Sequence, residues 1–317
     1  MKSPVFAYAA PNTVAEACSL LADDEDAKLL AGGQSLVPLL ALRLAAPTTL
    51  VDLRLVPALT GITHDQGVLR LGAMTTHRSI ERSPLVQDVA PAIAEAAALI
   101  AHPQVRTRGT IGGAVAHADA AAEWPAVLLA MDGHVEVTGT GGSRSISAGD
   151  LFMGPFMTSL EPDEVITSVS LPIDGREIWV DEHQRRHGDY GLSILAMTYQ
   201  LSDGLITDVR LAVAGATGSV TRAPEAEAAL EGRAPADSND AITALAAELS
   251  YTSDIHGSAD YRRDITTTLF QRALRAAGRG PVRHDATSRA RLSPGRGQRA
   301  SLSAQRHGTP DAVGFPA

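Results

Sequence analysis

The chain has 317 residues, of which 44% are hydrophobic, with a formal net charge of −9 and one cysteine, Cys18. The negative charge argues against nucleic acid as the main partner, and one cysteine excludes an internal disulfide and a zinc or iron–sulfur site held by thiolates of this chain. No stretch approaches the roughly 20 apolar residues of a membrane span, and the first residues lack a signal-peptide core, so we expect a cytoplasmic protein.

The first 55 residues predict a small lobe that contains a parallel crossover. Thr13 and Glu16 form a capping box at the start of a helix over 12–23, on which Cys18 belongs to the apolar stripe. Strands are predicted at 28–31 and 49–53, with a short helix over 36–44 between them. Strand, glycine turn, helix and strand in this order form a parallel pair joined by a crossover.

Residues 56–175 predict a second lobe with both helices and strands. The sequence indicates a strand at 68–72, an alanine-rich helix over 89–101 and a helix over 120–131. A hairpin of strands at 134–137 and 144–147 follows, and then a strand at 164–171.

The remaining chain has a different order of predicted elements. A strand is predicted at 176–186, a hairpin turns at 202–204, and helices follow over 222–231, 238–250 and 258–277. Strands followed by helices indicate a separate α+β domain over 176–279, with a boundary near residue 175. Residues 280–317 are rich in arginine, serine, glycine and proline, so we predict a disordered basic tail there.

Two pairs of adjacent glycines stand out. One is in Ala31-Gly32-Gly33-Gln34-Ser35 and the other in Thr110-Ile111-Gly112-Gly113-Ala114. Glycine leaves backbone amides uncovered, and successive uncovered amides near a helix start form an anion site that suits a pyrophosphate. The chain has no G-x-G-x-x-G and no P-loop motif, so the residues alone support only a possible nucleotide binder.

Three polar residues follow the second glycine pair. His117, Asp119 and Glu123 include metal-ligand types, but their spacing lacks a second histidine and argues against zinc. Asp119 also suits the N-cap of the predicted 120–131 helix. A carboxylate can cap a helix and also accept a hydrogen bond from a ligand, so both roles stay open.

Two long segments carry a resemblance to a known family. The segments "LLAGGQSLVPLLALRLAAPTTLVDL" and "HPQVRTRGTIGGAVAHADAAAEWPAVLLAMDG" resemble the two FAD-pyrophosphate segments of the flavin-binding medium subunit of molybdenum hydroxylases. The medium subunit of carbon monoxide dehydrogenase is the best-known type. Residues 153–172, 185–197 and 261–277 also match in order, so the resemblance covers about residues 4–278.

The resemblance implies an α+β fold in two domains. A two-lobed FAD-binding domain of the vanillyl-alcohol-oxidase type, residues 1–175 with lobes at about 1–55 and 56–175, would precede a smaller α+β domain with a three-stranded antiparallel sheet. The family assembles with a large subunit that carries molybdopterin and a small subunit that carries two two-iron two-sulfur clusters. The medium subunit receives electrons on FAD and passes them to an external acceptor, whose identity the sequence leaves open.

The resemblance also implies which residues contact the cofactor. The two glycine segments would hold the pyrophosphate through backbone amides, Asp119 and Glu123 would contact polar parts of FAD, and Ile166 and Tyr190 would approach the isoalloxazine. Tyr190 also suits an ordinary aromatic of a strand. No residue is expected to act as a catalytic acid or base, because flavin chemistry belongs to the cofactor. The predicted set is Ala31, Gly32, Gly33, Gln34, Ser35, Leu36, Ile100, Thr110, Ile111, Gly112, Gly113, Ala114, His117, Asp119, Glu123, Ile166 and Tyr190.

The chain departs from the family pattern at three places. Ala114 stands where relatives often have asparagine, Ala120 follows Asp119 where proline is common, and Asp181-Glu182 occupies a stretch where some relatives have a lysine. Two other functions therefore stay in view. One is a self-contained flavin oxidase, and the other is an assembly protein that has lost its flavin.

Overall fold

The computed structural model describes residues 2–279. The first lobe is a three-stranded parallel sheet in the order β1-β3-β2, which confirms the predicted crossover. The capping box is also present, because Thr13 Oγ1 accepts from the amide of Glu16 at 3.2 Å and the Glu16 carboxylate accepts from the amide of Asn12 at 2.7 Å. The elements are β1 (Ala7–Ala9), α1 (Val14–Ala22), β2 (Lys28–Leu30), α2 (Leu36–Leu42) and β3 (Thr49–Asp52).

The second lobe is built on a five-stranded antiparallel sheet. Its strands are β4 (Ile62–Asp65), β5 (Val68–Gly72), β6 (His134–Gly139), β7 (Gly142–Ser147) and β10 (Val165–Pro172), in the order β4-β5-β10-β6-β7. Strands β8 (Phe152–Gly154) and β9 (Met157–Thr158) form a separate hairpin. Two 3-10 turns precede the sheet, at Leu53–Leu55 and Pro57–Leu59. The helices are α3 (His77–Arg82), α4 (Pro84–Val89), α5 (Pro91–Leu99), α6 (Pro103–Arg106), α7 (Ile111–His117), α8 (Glu123–Ala130) and α9 (Ala148–Leu151).

The segment around the second glycine pair differs from the prediction in two ways. The glycines lie in the first turn of α7, a helix that the sequence hides because glycine is a poor helix former. Helix α8 begins at Glu123 with Ala122 at its N-cap, so the predicted cap at Asp119 is wrong. Asp119 instead accepts from the amide of Ala121 at 2.9 Å, in the turn before the helix.

The C-terminal part contains a four-stranded antiparallel sheet in the order β11-β12-β13-β14. Three strands are long, as predicted, and the fourth is a two-residue strand at the edge. The elements are β11 (Glu177–His183), β12 (Ser193–Ser202), β13 (Leu205–Ala214), β14 (Thr221–Arg222), α10 (Pro224–Leu230), α11 (Asn239–Glu248) and α12 (Ala259–Ala277). The tail predicted at 280–317 lies outside the described residues.

The C-terminal sheet packs between α8 and α12. Ile194, Ala196, Ala212 and Ala214 belong to the apolar core of the second lobe, while alternate residues of the same strands face the core built with α12. Two hydrogen bonds join the parts, because Thr198 Oγ1 donates to the carbonyl of Ala130 at 2.7 Å and the amide of Gly215 donates to the carbonyl of Ala120 at 2.6 Å. This packing holds the β11–β12 loop beside the end of α7.

The first lobe has its own small core, which includes Ala17, Cys18 and Val51. Cys18 is 2% exposed and its thiol donates to the carbonyl of Thr138 at 3.1 Å, which confirms the prediction of a core cysteine. None of the helices within residues 2–279 combines the length and the apolar character needed to cross a membrane.

Candidate cofactor site

One cavity of about 800 Å³ collects the predicted residues. Its volume is typical of sites for small molecules and cofactors, which span about 300–1,000 Å³. Every residue of the predicted set lines it except Ile111. These residues are Ala31, Gly32, Gly33, Gln34, Ser35, Leu36, Ile100, Thr110, Gly112, Gly113, Ala114, His117, Asp119, Glu123, Ile166 and Tyr190.

Ile111 is the one residue of the predicted set that does not line the cavity. Its side chain is fully buried in the core of the second lobe, and its amide donates to the carbonyl of Thr75 at 3.0 Å. The side chain therefore fixes the start of α7 instead of facing the cavity.

The first glycine segment presents open backbone donors. Gly33 has φ of +71°, in the region that favours glycine, and it turns the chain from β2 into α2. Across residues 2–279, no acceptor receives the amides from Gly32 to Leu36. Such a run of unpaired donors at a turn suits an anion, and above all a phosphate, which offers several oxygens to neighbouring amides.

Close packing also requires glycine at residue 32, apart from its open amide. A Cβ atom there would overlap the carbonyl oxygen of Arg108 and lie 2.7 Å from Cα of Gly109. The first glycine segment therefore touches the backbone of the two residues that precede the second glycine segment. A side chain at residue 32 would force them apart and change the cavity between them.

In the second glycine segment, the four amides from Ile111 to Ala114 all have acceptors within the protein. A Cβ on Gly112 would lie 2.5 Å from Cβ of Ala73, so this glycine is required by packing against the end of β5. The prediction of uncovered amides is wrong for this segment, which supplies a shaped wall. The amides of Ile111, Gly112, Gly113 and Ala114 donate respectively to Thr75 O at 3.0 Å, Ala73 O at 2.9 Å, Thr110 Oγ1 at 3.2 Å and Thr110 O at 3.0 Å.

Carboxyl groups line the wall that follows α7. Burial raises the pKa of Glu123 to about 7, and the neighbouring charge of Asp119 adds to the effect. Both side chains face the cavity. A carboxyl whose pKa lies near 7 can accept hydrogen bonds, and in its ionised form it repels a second anion. This wall therefore suits hydroxyl or ring N–H groups of a ligand and disfavours its phosphates.

Glu182 on β11 stands behind this wall. It is 8% exposed, and burial raises its pKa to about 8, with further contributions from the charges of Glu123 and Asp181. Its Oε1 accepts from Nε2 of Gln184 at 2.8 Å, while Oε2 has no partner among the described residues. The departure noted in the sequence at Asp181-Glu182 thus places a protonated carboxyl beside Glu123 at neutral pH.

Several lining residues were not predicted from the sequence. His77 begins α3 and is 4% exposed, and no motif marks it. Phe156 joins the cavity from the β8–β9 hairpin, where its amide donates to the carbonyl of Ala118 at 2.8 Å and its ring lies 5.0 Å from that of His117. Gly188, whose backbone packs against the ring of His102, comes from the β11–β12 loop. All three reach the site through tertiary contacts.

Tyr190 lies in the loop between β11 and β12, so its alternative interpretation as a strand aromatic is wrong. It lines the cavity and is 67% exposed. Met153, Phe156 and Met157 of the β8–β9 hairpin are also exposed. We call these four residues the apolar rim.

The arrangement fits FAD. No group of three histidine, cysteine, aspartate or glutamate residues in the 2–279 range converges as a metal site. Open amides at residues 32–36 can hold a pyrophosphate, apolar side chains such as Ile100 and Ile166 can flank a flat ring, and Asp119 with Glu123 can accept from polar groups. A dinucleotide needs these three environments in one elongated cavity.

Comparisons with known proteins agree with this site. Residues 4–174 match the family described as "FAD binding domain in molybdopterin dehydrogenase", and residues 180–277 match the "CO dehydrogenase flavoprotein C-terminal domain". Both families together cover most of the described chain.

Individual relatives align over nearly their full length. The nicotine 6-hydroxylase medium subunit of Paenarthrobacter nicotinovorans is 48% identical over 88% of this chain and 99% of its own. The carbon monoxide dehydrogenase medium chain of Hydrogenophaga pseudoflava is 37% identical over 87% of this chain and 98% of its own.

A solved structure shows the same fold. Quinoline 2-oxidoreductase from Pseudomonas putida 86 superposes with a TM-score of 0.85 at 38% sequence identity, over 88% of this chain and 99% of the matched chain. Its α+β architecture therefore extends over both parts of this protein. The chain belongs to the family of FAD-binding medium subunits of molybdenum hydroxylases, an oxidoreductase family.

Proposed function

We propose that this chain receives electrons from the iron–sulfur clusters of a partner subunit and delivers them to an external acceptor, with FAD held in the cavity. The observation that carries the proposal is the cavity itself, with unpaired amides at residues 32–36 along one wall. Bound FAD would supply the chemistry, because a flavin exchanges electrons singly or in pairs.

In this proposal the pyrophosphate lies against residues 31–36, and the wall at 110–114 closes the cavity opposite. Asp119 and Glu123 orient the cofactor, because their charges repel its phosphates and their oxygens accept from its hydroxyl or ring N–H groups. Ile100, Ile166 and Tyr190 flank the isoalloxazine. None of these residues needs to transfer a proton for electrons to pass.

The proposed partners are a small subunit with two two-iron two-sulfur clusters and a large subunit with molybdopterin. Cys18 is buried in the first lobe and is the single cysteine of the chain, so the clusters must belong to another polypeptide. The apolar rim supports docking next to the cavity, because it exposes large apolar side chains where a partner would approach the flavin. A cytoplasmic setting and a division into residues 1–175 and 176–279 belong to the same proposal.

The first test is the cofactor content of the purified full chain. We expect an absorbance spectrum of an oxidised flavin and release of about one FAD per chain on denaturation, because the cavity has one pyrophosphate wall. A chain that stays colourless and takes up no added FAD would favour the assembly-protein alternative and contradict the proposal.

The second test separates an electron-transfer subunit from a self-contained oxidase. The chain would be co-expressed with a small and a large subunit of a molybdenum hydroxylase and mixed with substrate in a stopped-flow spectrometer. Reduction of the flavin is expected only in the assembled complex. Flavin reduction by substrate in the isolated chain would support the oxidase alternative.

A further inference from the structure

His77 is a buried polar side chain whose role is not explained by packing alone. It is 4% exposed, and Nδ1 accepts from the indole N–H of Trp124 at 3.1 Å. Its backbone amide also donates to the carbonyl of Gly109 at 3.0 Å. The bond from Trp124 therefore fixes the orientation of the ring, and the amide bond holds the His77 backbone against Gly109.

The bond from Trp124 decides where the imidazole carries its hydrogen. An indole N–H is a donor only, so Nδ1 must be the acceptor and the neutral ring has its hydrogen on Nε2. Burial and the charge of Arg106 lower the pKa of His77 to about 4, so the ring stays neutral across the physiological range. Within residues 2–279, no acceptor receives the Nε2 hydrogen.

The Nε2 edge lies at the junction of the two glycine segments. A Cβ atom on Gly109 would be 2.9 Å from both Cδ2 and Nε2 of His77, so this edge packs against Gly109. Gly109 and Arg108 in turn pack against Gly32, where the run of open amides begins. His77 also lines the cavity, and Nε2 is not among the enclosed unpaired atoms.

We propose that His77 donates a hydrogen bond from Nε2 to the pyrophosphate of FAD, in addition to the open amides of residues 32–36. The inference rests on the proposed function. An anion held at the start of the first glycine segment would offer an acceptor to a donor that packs against Gly109, because Gly109 itself packs against Gly32. A neutral donor is suited to this position, because it binds the phosphate at any pH at which the protein is folded.

The test measures ligand affinity of the full chain after removal of its flavin. FAD binding is followed by the quenching of flavin fluorescence, and ADP binding by calorimetry, since ADP has the diphosphate but no isoalloxazine. His77→Phe keeps a ring of similar size and removes the donor. We expect both FAD and ADP to bind about 10- to 100-fold more weakly, the usual effect of losing a hydrogen bond to a charged group.

His77→Gln tests whether a donor suffices, because a side-chain amide can present an N–H near the position of Nε2. We expect it to restore most of both affinities. Wild-type FAD affinity should show no step near pH 6.5, the ordinary pKa of histidine. His64→Phe, on the exposed strand β4, is the matched control and should leave both affinities unchanged.

Three outcomes would overturn the inference. These are unchanged affinities in a folded His77→Phe variant, a loss for FAD without a loss for ADP, and a folded His77→Gln variant that binds no better than His77→Phe. If His77→Phe fails to fold, His77→Phe/Trp124→Phe replaces it, since that pair leaves no buried indole N–H without an acceptor. A wild-type chain that binds neither ligand would instead refute the proposed function.

Discussion

The two glycine segments face one cavity, yet their backbones are used in opposite ways. From Gly32 to Leu36 the amides have no acceptor among residues 2–279, and Gly33 adopts φ of +71° to turn them toward the cavity. From Ile111 to Ala114 each amide donates to the protein. The amides of the first segment are therefore available to bind a ligand, whereas those of the second stabilise the wall of the cavity.

The difference shows that glycine can be required at a position for more than one physical reason. Gly33 is required by backbone conformation, whereas Gly112 is required by the closeness of Ala73. Gly32 resembles Gly112 in this respect, because a Cβ atom there would overlap the backbone of Arg108, and it also carries an open amide. Substitutions at these positions should separate ligand binding from folding.

The largest effect is expected for Gly112→Ala. The added methyl would lie 2.5 Å from Cβ of Ala73 and 2.8 Å from its carbonyl oxygen, so α7 must move away from β5. We expect the free energy of unfolding to fall by about 3 kcal/mol, as for a severe overpacking. Urea denaturation of the flavin-free chain measures it.

Gly149→Ala is the matched control for this prediction, because it adds a methyl within another short helix, α9, where the nearest atom outside the helix backbone is Ser147 Oγ, 3.8 Å away. We expect it to change stability by less than about 1 kcal/mol. If Gly112→Ala were as stable as this control, the second segment would not be the packed wall described above.

A smaller effect is expected for Glu182→Gln, which concerns the carboxyls behind the second wall. The pKa of Glu182 rises from 4.5 to about 8 on folding, so the folded chain holds this proton more tightly than the unfolded chain. Stability is therefore lost as pH rises from about 4.5 through about 8. We expect the variant to exceed the wild type in stability by an amount that grows by about 2–3 kcal/mol between pH 6 and pH 9.

Urea denaturation at the two pH values checks this, and comparison of the variant with the wild type at each pH cancels the titration of other groups. Glu177→Gln, at the other end of β11, is the control and should show no such difference. Equal stability of Glu182→Gln and the wild type at pH 9 would mean that Glu182 is not held as an acid in the fold.

The smallest effect on stability is expected for Gly33→Ala, together with the clearest effect on the ligand. An alanine at φ of +71° costs about 1 kcal/mol, and its methyl would lie 3.1 Å from Cγ2 of Val37. Relaxation of this strain would turn the open amides, so we expect FAD affinity to fall by about tenfold, the equivalent of 1.4 kcal/mol. Fluorescence titration with FAD measures it.

Gly204→Ala is a close control, because Gly204 also has positive φ, of +80°, in the β12–β13 turn, with nothing within 4 Å of its added methyl. It should lose similar stability and keep full FAD affinity. Should Gly33→Ala retain wild-type FAD affinity as well, the first segment would not be the ligand-binding one.

Much of the fold was accessible to sequence reasoning because its signals are local. The capping box at Thr13 and Glu16 fixes the start of α1 through neighbours in the chain, and the 202–204 turn fixes the register of β12 on β13. The two glycine segments were found for the same reason, since glycine constrains its own backbone. The resemblance to medium subunits then predicted a set of residues of which all but Ile111 line the cavity.

Other features were decided only by the tertiary structure, because they depend on residues that are distant in the chain. Helix α7 forms despite its glycines because Ala73 and Thr75 accept its first amides, and His77 enters the site because Trp124 holds its ring. Glu182 keeps its proton because the C-terminal sheet buries it beside Glu123. Local sequence fixes backbone conformation, whereas the hydrogen-bond state of an amide or the charge of a carboxyl depends on whatever the completed fold places against it.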